Sequence, residues 1–166
     1  LREQIEQLMP KAKGREEVLG LVAPHAGYIY SGRVAACAFS RAKLTNSVVI
    51  LGPNHTGFGV PFSIMTEGTW QMPMGEVEID TSLAKQILSS SRYLESDLKA
   101  HLYEHSIEVE LPFLQYNSVQ LKIVPVIVAA ADVAVYDEIG QAVAKAIKEA
   151  GRKVLIVASS DMTHYE

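Results

Sequence analysis

Four short runs, Val18–Ala23, Ser47–Leu51, Lys122–Ala129 and Lys153–Ala158, concentrate β-branched and aliphatic residues. Their length and composition predict strands. The apolar positions in each run are nearly continuous rather than alternating, as in strands covered on both faces of a largely parallel sheet. Between the runs the period becomes helical. Ser31 is placed to cap a helix reaching about Leu44, whose Ala35, Ala36 and Ala38 allow close packing on a sheet. Thr81–Ser90 sets Leu83, Ile87 and Leu88 on one helical face. Tyr103–Tyr116 predicts another helix, bent or restarted at Pro112, because proline has no amide proton and crowds the preceding turn. Val133–Ala150 is apolar at Ile139, Val143, Ala146 and Ile147, with Gly151 placed to end it. Pro61–Ile79, with Thr66, Gly68, Thr69, Trp70, Pro73 and Gly75, predicts short extended pieces joined by turns. The expected fold class is α/β, a largely parallel or mixed central sheet flanked by helices, in a single domain over residues 1–166.

Composition narrows the function. The chain has 166 residues, of which 48% are hydrophobic and 20% charged, enough to bury an apolar core without disulfide staples. Its one cysteine, Cys37, sits in an apolar helical stretch and is expected to be a small core residue; a single thiol fits a cytoplasmic protein. A net charge of −4 without a basic cluster argues against nucleic acid as a partner. The longest apolar run, the nine residues Ile123 to Ala131, includes Pro125 and falls far short of the roughly 20 needed to cross a bilayer. Leu1 to Glu6 lack the apolar core of a signal peptide, and a first residue other than Met leaves the true start expected upstream.

The reactive residues gather where these strands end. Val18–Ala23 runs into Pro24-His25-Ala26-Gly27, Ser47–Leu51 into Gly52-Pro53-Asn54-His55, and Lys153–Ala158 into Ser159-Ser160-Asp161-Met162-Thr163-His164. Open α/β sheets bind ligands outside the carboxyl ends of their strands, so these distant segments are expected to converge on one cleft. Glu104, His105 and Glu108 stand three and four apart and are expected on adjacent positions of a helix. His101 precedes His105 by four, but without the HExxH pattern of a metalloprotease it is expected to be structural or exposed. A serine-hydrolase reading of Ser159, Ser160, Asp161 and His164 lacks the G-x-S-x-G elbow, and a phosphate loop at Gly52–Gly57 lacks its lysine.

Four motifs in order, Ala23-Pro24-His25-Ala26-Gly27-Tyr28, Leu51-Gly52-Pro53-Asn54-His55, Glu104-His105-Ser106-Ile107-Glu108 with Leu111-Pro112, and Ser159-Ser160-Asp161-Met162-Thr163-His164, resemble the Memo family. Its bacterial and archaeal members carry the label AmmeMemoRadiSam system protein B. The resemblance implies a fold related to class III extradiol ring-cleaving dioxygenases, whose site holds non-haem iron, and a radical-SAM system partner. It matches His25 and His55 to metal-binding histidines and His105, Asp161 and His164 to other polar residues of that cleft. It also implies a later segment carrying a cysteine ligand. The sequence ends at Glu166, so a carboxyl-terminally truncated form of the family domain is expected, or a carboxylate or imidazole already present must complete the site.

The leading expectation is a metal-binding protein with iron or copper and redox or dioxygenase-like chemistry. His25 and His55 act as ligands, Asp161 as third ligand or orienter, and His105 or His164 as acid–base group. Two imidazoles and a carboxylate form the donor set of non-haem Fe(II) oxygenases. The alternative is a binding or scaffold protein that holds a small molecule or a phosphorylated peptide in the same cleft, since eukaryotic relatives are described as adaptors that bind phosphotyrosine peptides. Zinc-assisted hydrolysis ranks third.

Overall fold

The computed structural model describes residues 1–11, 14–118 and 120–162. In chain order the elements are α1 (Arg2–Leu8), β1 (Gly20–Ala23), α2 (Tyr28–Arg41), β2 (Ser47–Pro53), β3 (Phe62–Ile64), β4 (Thr69–Met72), β5 (Gly75–Ile79), α3 (Thr81–Ser90), β6 (Glu95–Ser96), α4 (Lys99–Leu102), α5 (Leu111–Asn117), β7 (Lys122–Val128), α6 (Val133–Ala150) and β8 (Leu155–Ser159). Among the described residues they build a mixed, largely parallel sheet of eight strands flanked by helices, the expected α/β class.

The spatial order β1-β8-β2-β7-β3-β6 sets the geometry of the site. The first four of these strands are parallel, with Ala23 beside Ser159 and Leu51 beside Ala158 in register. Their carboxyl ends therefore lie side by side on one rim. Past the middle, β7 is paired along its second half by antiparallel β3 and along its first residues by parallel β5, which forms a hairpin with β4. This is the stretch predicted as extended pieces joined by turns.

Consecutive residues of a strand point to opposite faces, so the complete burial of Val48, Val49 and Ile50 in β2 and of Ile123, Val124, Val126 and Ile127 in β7 requires cover on both sides. Helix α3 packs with α6, and α1, α2 and α5 form a second group. Asp80 caps α3 by accepting the Leu83 amide proton at 3.3 Å. Helix α6 ends at Gly151, whose φ of 62° is the left-handed conformation that glycine adopts without steric cost.

Several expectations are corrected. β1 starts at Gly20 and among the described residues is an edge strand paired with β8 alone; the sheet face that carries Val22 is uncovered there, leaving Val22 53% exposed instead of covered. Helix α2 starts at Tyr28 with Gly27 at its cap; Ser31 lies inside it, its hydroxyl donating back to the Ala26 carbonyl at 2.8 Å, and the helix stops at Arg41. Cys37 is on the outer side of α2 and exposed. The predicted helix Tyr103–Tyr116 is a turn over 103–107, a single 3-10 turn Glu108–Glu110, and then α5, with Pro112 in its first turn where no amide proton is required. Helix α1, anchored by the fully buried Ile5, was not legible as a helix, its seven residues being too short to establish a period.

Candidate metal centre

Three adjacent parallel strands, β1, β8 and β2, deliver His25, Asp161 and His55 from their carboxyl ends. The loop after α4 brings a fourth group over the rim. Ser106 donates its hydroxyl to the Pro53 carbonyl at 3.0 Å, and the approach is so close that a Cβ on Gly52 would lie 2.6 Å from Ser106 Oγ and 2.9 Å from Ile107 Cγ1. Glycine at 52 is therefore a requirement of the site. Gly52→Ala is expected to push the 104–107 turn away and cost about 1–3 kcal/mol, read as a lower urea midpoint with an unchanged m-value.

His25, His55 and His105 form one cluster, with ring centroids 5.1 Å apart for His25 and His55, 5.8 Å for His25 and His105, and 4.9 Å for His55 and His105. The expected convergence is thus present in space. Each ring is held from behind. His55 faces Glu104, whose Oε1 lies 2.9 Å from His55 Nδ1 and accepts the Ser106 amide proton at 2.9 Å, while Oε2 accepts the His55 amide proton at 2.7 Å. His25 Nδ1 lies 2.9 Å from Ser159 Oγ, and its Nε2 is 3.6 Å from Asp161 Oδ2. Asp161 Oδ1 accepts the backbone protons of His25 at 2.8 Å and Ala26 at 3.2 Å, which ties the end of β8 to the loop after β1.

Charge follows burial and these donors. Burial pushes the Glu104 carboxyl up, but its donors, led by His55 and the Ser106 amide, outweigh burial and bring it down to about 2, so it is a carboxylate at neutral pH. His55 consequently carries its Nδ1 proton toward Glu104 when neutral, and its lone pair is on Nε2. His25 is only 2% exposed; burial lowers its pKa against the pull of Asp161, and the neighbouring His55 and His105 lower it further. The His25 ring is neutral at neutral pH.

This donor chemistry fits a transition-metal ion. Two imidazoles oriented from behind and a carboxylate beside them suit iron, copper or zinc. His55, Glu104 and His105 also place one donor atom each within 4.8 Å of one another. Both Glu104 oxygens already accept backbone protons, and we assign Glu104 as the group that orients His55. Glu104 is the site residue whose part the sequence understates: its spacing places it with Glu108 on a helix, whereas Glu104 is buried and Glu108 exposed on non-helical and 3-10 backbone. His164 lies outside the described residues. His101 is buried away from the cluster against Ser63 at 3.0 Å, a structural histidine whose pKa burial lowers to about 4. A broad groove at the opposite, amino ends of the strands, among Asn46, Glu78, Lys122 and Arg152, contains no histidine.

A family model described as Memo-like protein matches residues 1–166. The chain belongs to the Memo-like family. It is 48% identical over 161 residues to a MEMO1 family protein of Pyrobaculum aerophilum, covering 95% of this chain and 57% of that one. A MEMO1 family protein of Methanococcoides burtonii is 47% identical over 151 residues, covering 90% and 56%. One from Thermotoga neapolitana is 47% identical over 160 residues, covering 95% and 57%. The chain thus spans less than three-fifths of the length of these curated Memo-like relatives. Among the described residues, no helix is long and apolar enough to cross a membrane.

Proposed function

We propose that this Memo-like chain binds a redox-active iron or copper ion through His25, His55 and Asp161, and that the site serves oxidation of a small aromatic substrate. The observation that carries this reading is the pairing of two imidazoles, each backed at Nδ1, with a carboxylate oxygen 3.6 Å from one Nε2. Such an ion would bring substrate and oxygen together in an open coordination sphere. The protein's own contribution is orientation. Asp161 fixes the His25–Ala26 backbone, Glu104 fixes His55, and Ser106 pins the turn that carries Glu104 to β2. His105 stands against His55 with its side chain 56% exposed, placed to take a proton from an incoming hydroxyl and pass it to solvent. His164 is the second acid–base candidate that the family resemblance supplies.

A peptide-binding reading has one observation in its favour. Val22, Tyr30, Val34 and Met162 are exposed and line a groove with Asp161 beside the site. Asp161 and Glu104 set two carboxyls near any phosphate that would enter, which disfavours an anionic ligand.

The test is to load metal-free protein with Fe(II), Cu(II) or Zn(II), measure bound metal by elemental analysis, and follow oxygen consumption with catechol. About one iron or copper per chain and catechol-dependent oxygen uptake are expected. Zinc binding alone with ester or phosphate hydrolysis, or calorimetric binding of a phosphotyrosine peptide without oxygen uptake, would replace this reading.

A further inference from the structure

Behind His25, away from the cluster, one hydroxyl meets three polar groups. Ser159 Oγ lies 2.5 Å from the Ser106 carbonyl oxygen, 2.9 Å from Glu110 Oε1 and 2.9 Å from His25 Nδ1. A serine hydroxyl has one proton to give and two lone pairs with which to accept. The Ser106 carbonyl has no proton of its own, so the shortest contact takes the Ser159 proton. The other two partners must each bring a proton to Ser159. Glu110 brings it as a carboxylic acid, and His25 brings it as Nδ1–H.

The surroundings of Glu110 agree with that assignment. The residue is fully buried, its Oε2 has no hydrogen-bond partner among the described residues, and Asp161 lies near enough for its charge to oppose ionisation. Burial, reinforced by Asp161, raises the carboxyl to about 8, which leaves it protonated at neutral pH. A neutral imidazole has a single ring proton to place. On Nε2 that proton would face Asp161 Oδ2 across 3.6 Å, too far for a good hydrogen bond; on Nδ1 it meets Ser159 at 2.9 Å.

We propose that Ser159, held by the Ser106 carbonyl and by Glu110 as a neutral acid, is a positioning residue that fixes His25 as its Nδ1–H tautomer and turns the Nε2 lone pair toward Asp161. The two imidazoles are then prepared by different means, His55 by a carboxylate and His25 by a neutral hydroxyl. A carboxylate partner raises the basicity of an imidazole more than a hydroxyl does. The consequence for metal binding rests on the function proposed above; the tautomer does not, and is measured without metal.

Metal-free protein with 15N-labelled histidine is examined at pH 7 by long-range 1H–15N correlation, with the His25 signals assigned by their loss in His25→Asn. The wild type is expected to show a protonated Nδ1 and an unprotonated Nε2. Ser159→Ala is expected to lose that preference, and Glu110→Gln to keep it, because the amide nitrogen replaces the acid as donor to Ser159. The infrared carbonyl stretch of a carboxylic acid is expected at pH 7 in the wild type and absent in Glu110→Gln. Metal affinity of Ser159→Ala is expected to fall about 10–100-fold. A proton on Nε2 in the wild type overturns the proposal even if Ser159→Ala fails to fold. An unchanged tautomer in Ser159→Ala, or no infrared difference for Glu110→Gln, overturns it too. Absence of metal binding alongside the expected tautomer counts against the metal function alone.

Discussion

Protein carrying both His25→Ala and His55→Ala is expected to bind no iron or copper above background, while each single replacement weakens binding by more than about 100-fold. Losing only the groups behind a metal-bound histidine costs about 10–100-fold, and losing the ligand itself costs more. The two positions differ in what else they disturb. His55 is partly exposed, and its amide proton, rather than its ring, completes the Glu104 arrangement at Oε2, so His55→Ala leaves that contact intact. His25 is nearly inaccessible, and its truncation opens a small void against Ser159 that lowers stability as well. Asp161→Asn separates the effects. Its remaining carbonyl oxygen still accepts from the His25 and Ala26 amides, so the fold is kept while the negative charge is lost. Metal content by elemental analysis, with thermal unfolding as a control, reads the result. Stoichiometric metal in the double variant would place the ion elsewhere.

The second large effect is on stability as pH rises. Glu110 is at about 8 in the folded protein against 4.5 for an ordinary glutamate. Above pH 4.5 the unfolded chain releases this proton while the folded chain holds it, so the native state binds more protons and stability falls with pH. The contribution is fully present below 4.5 and is lost as the pH climbs through 8, in all about 4–5 kcal/mol at 1.36 kcal/mol per unit. Tyr28 and Asp161 are the other titratable groups facing it, and neither supplies a compensating cation. Urea unfolding of wild type and Glu110→Gln at pH 5, 7 and 9 checks this. The glutamine variant is expected to lose most of the decline, and parallel pH profiles would show that Glu110 is not the source. Other buried groups act in the opposite sense. His101, lowered to about 4, loses its contribution as pH falls from 6.5 through 4, and Glu104, held at about 2, loses its own as pH falls from 4.5 through 2. The difference between the two proteins above pH 5 isolates Glu110.

Much of the architecture was readable along the chain. Thr81–Ser90 and Val133–Ala150 match α3 and α6 at both ends, because each combines a helical apolar period with a sharp boundary, Asp80 at one start and Gly151 at the other stop. Ser47 and Lys122 open β2 and β7 as predicted, since fully buried strands need unbroken apolar runs. The edge strand β1 misled, because composition does not distinguish a strand with neighbours on two sides from one with a neighbour on one. The stretch 103–107 misled for a different reason. Its spacing suits a helix, but Glu104 binds the backbone of its own turn and of the loop after β2, and those contacts hold the chain out of helical conformation.

By itself the sequence determined which residues could do chemistry: imidazoles and a carboxylate placed just past strand ends, beside glycines and prolines that turn the chain sharply. It also determined that β2 and β7 would lie inside a two-sided sheet, since burial on both faces is written into their consecutive apolar residues. The tertiary structure decided the order β1-β8-β2, which sets His25, Asp161 and His55 side by side. It also decided the partner behind each ring, Glu104 for His55 and Ser159 with Glu110 for His25. Those pairings join residues 49 and 134 positions apart in the chain. Local period and propensity reach only a few residues, whereas a ring's tautomer and a buried acid's proton depend on which distant groups packing brings within about 3 Å.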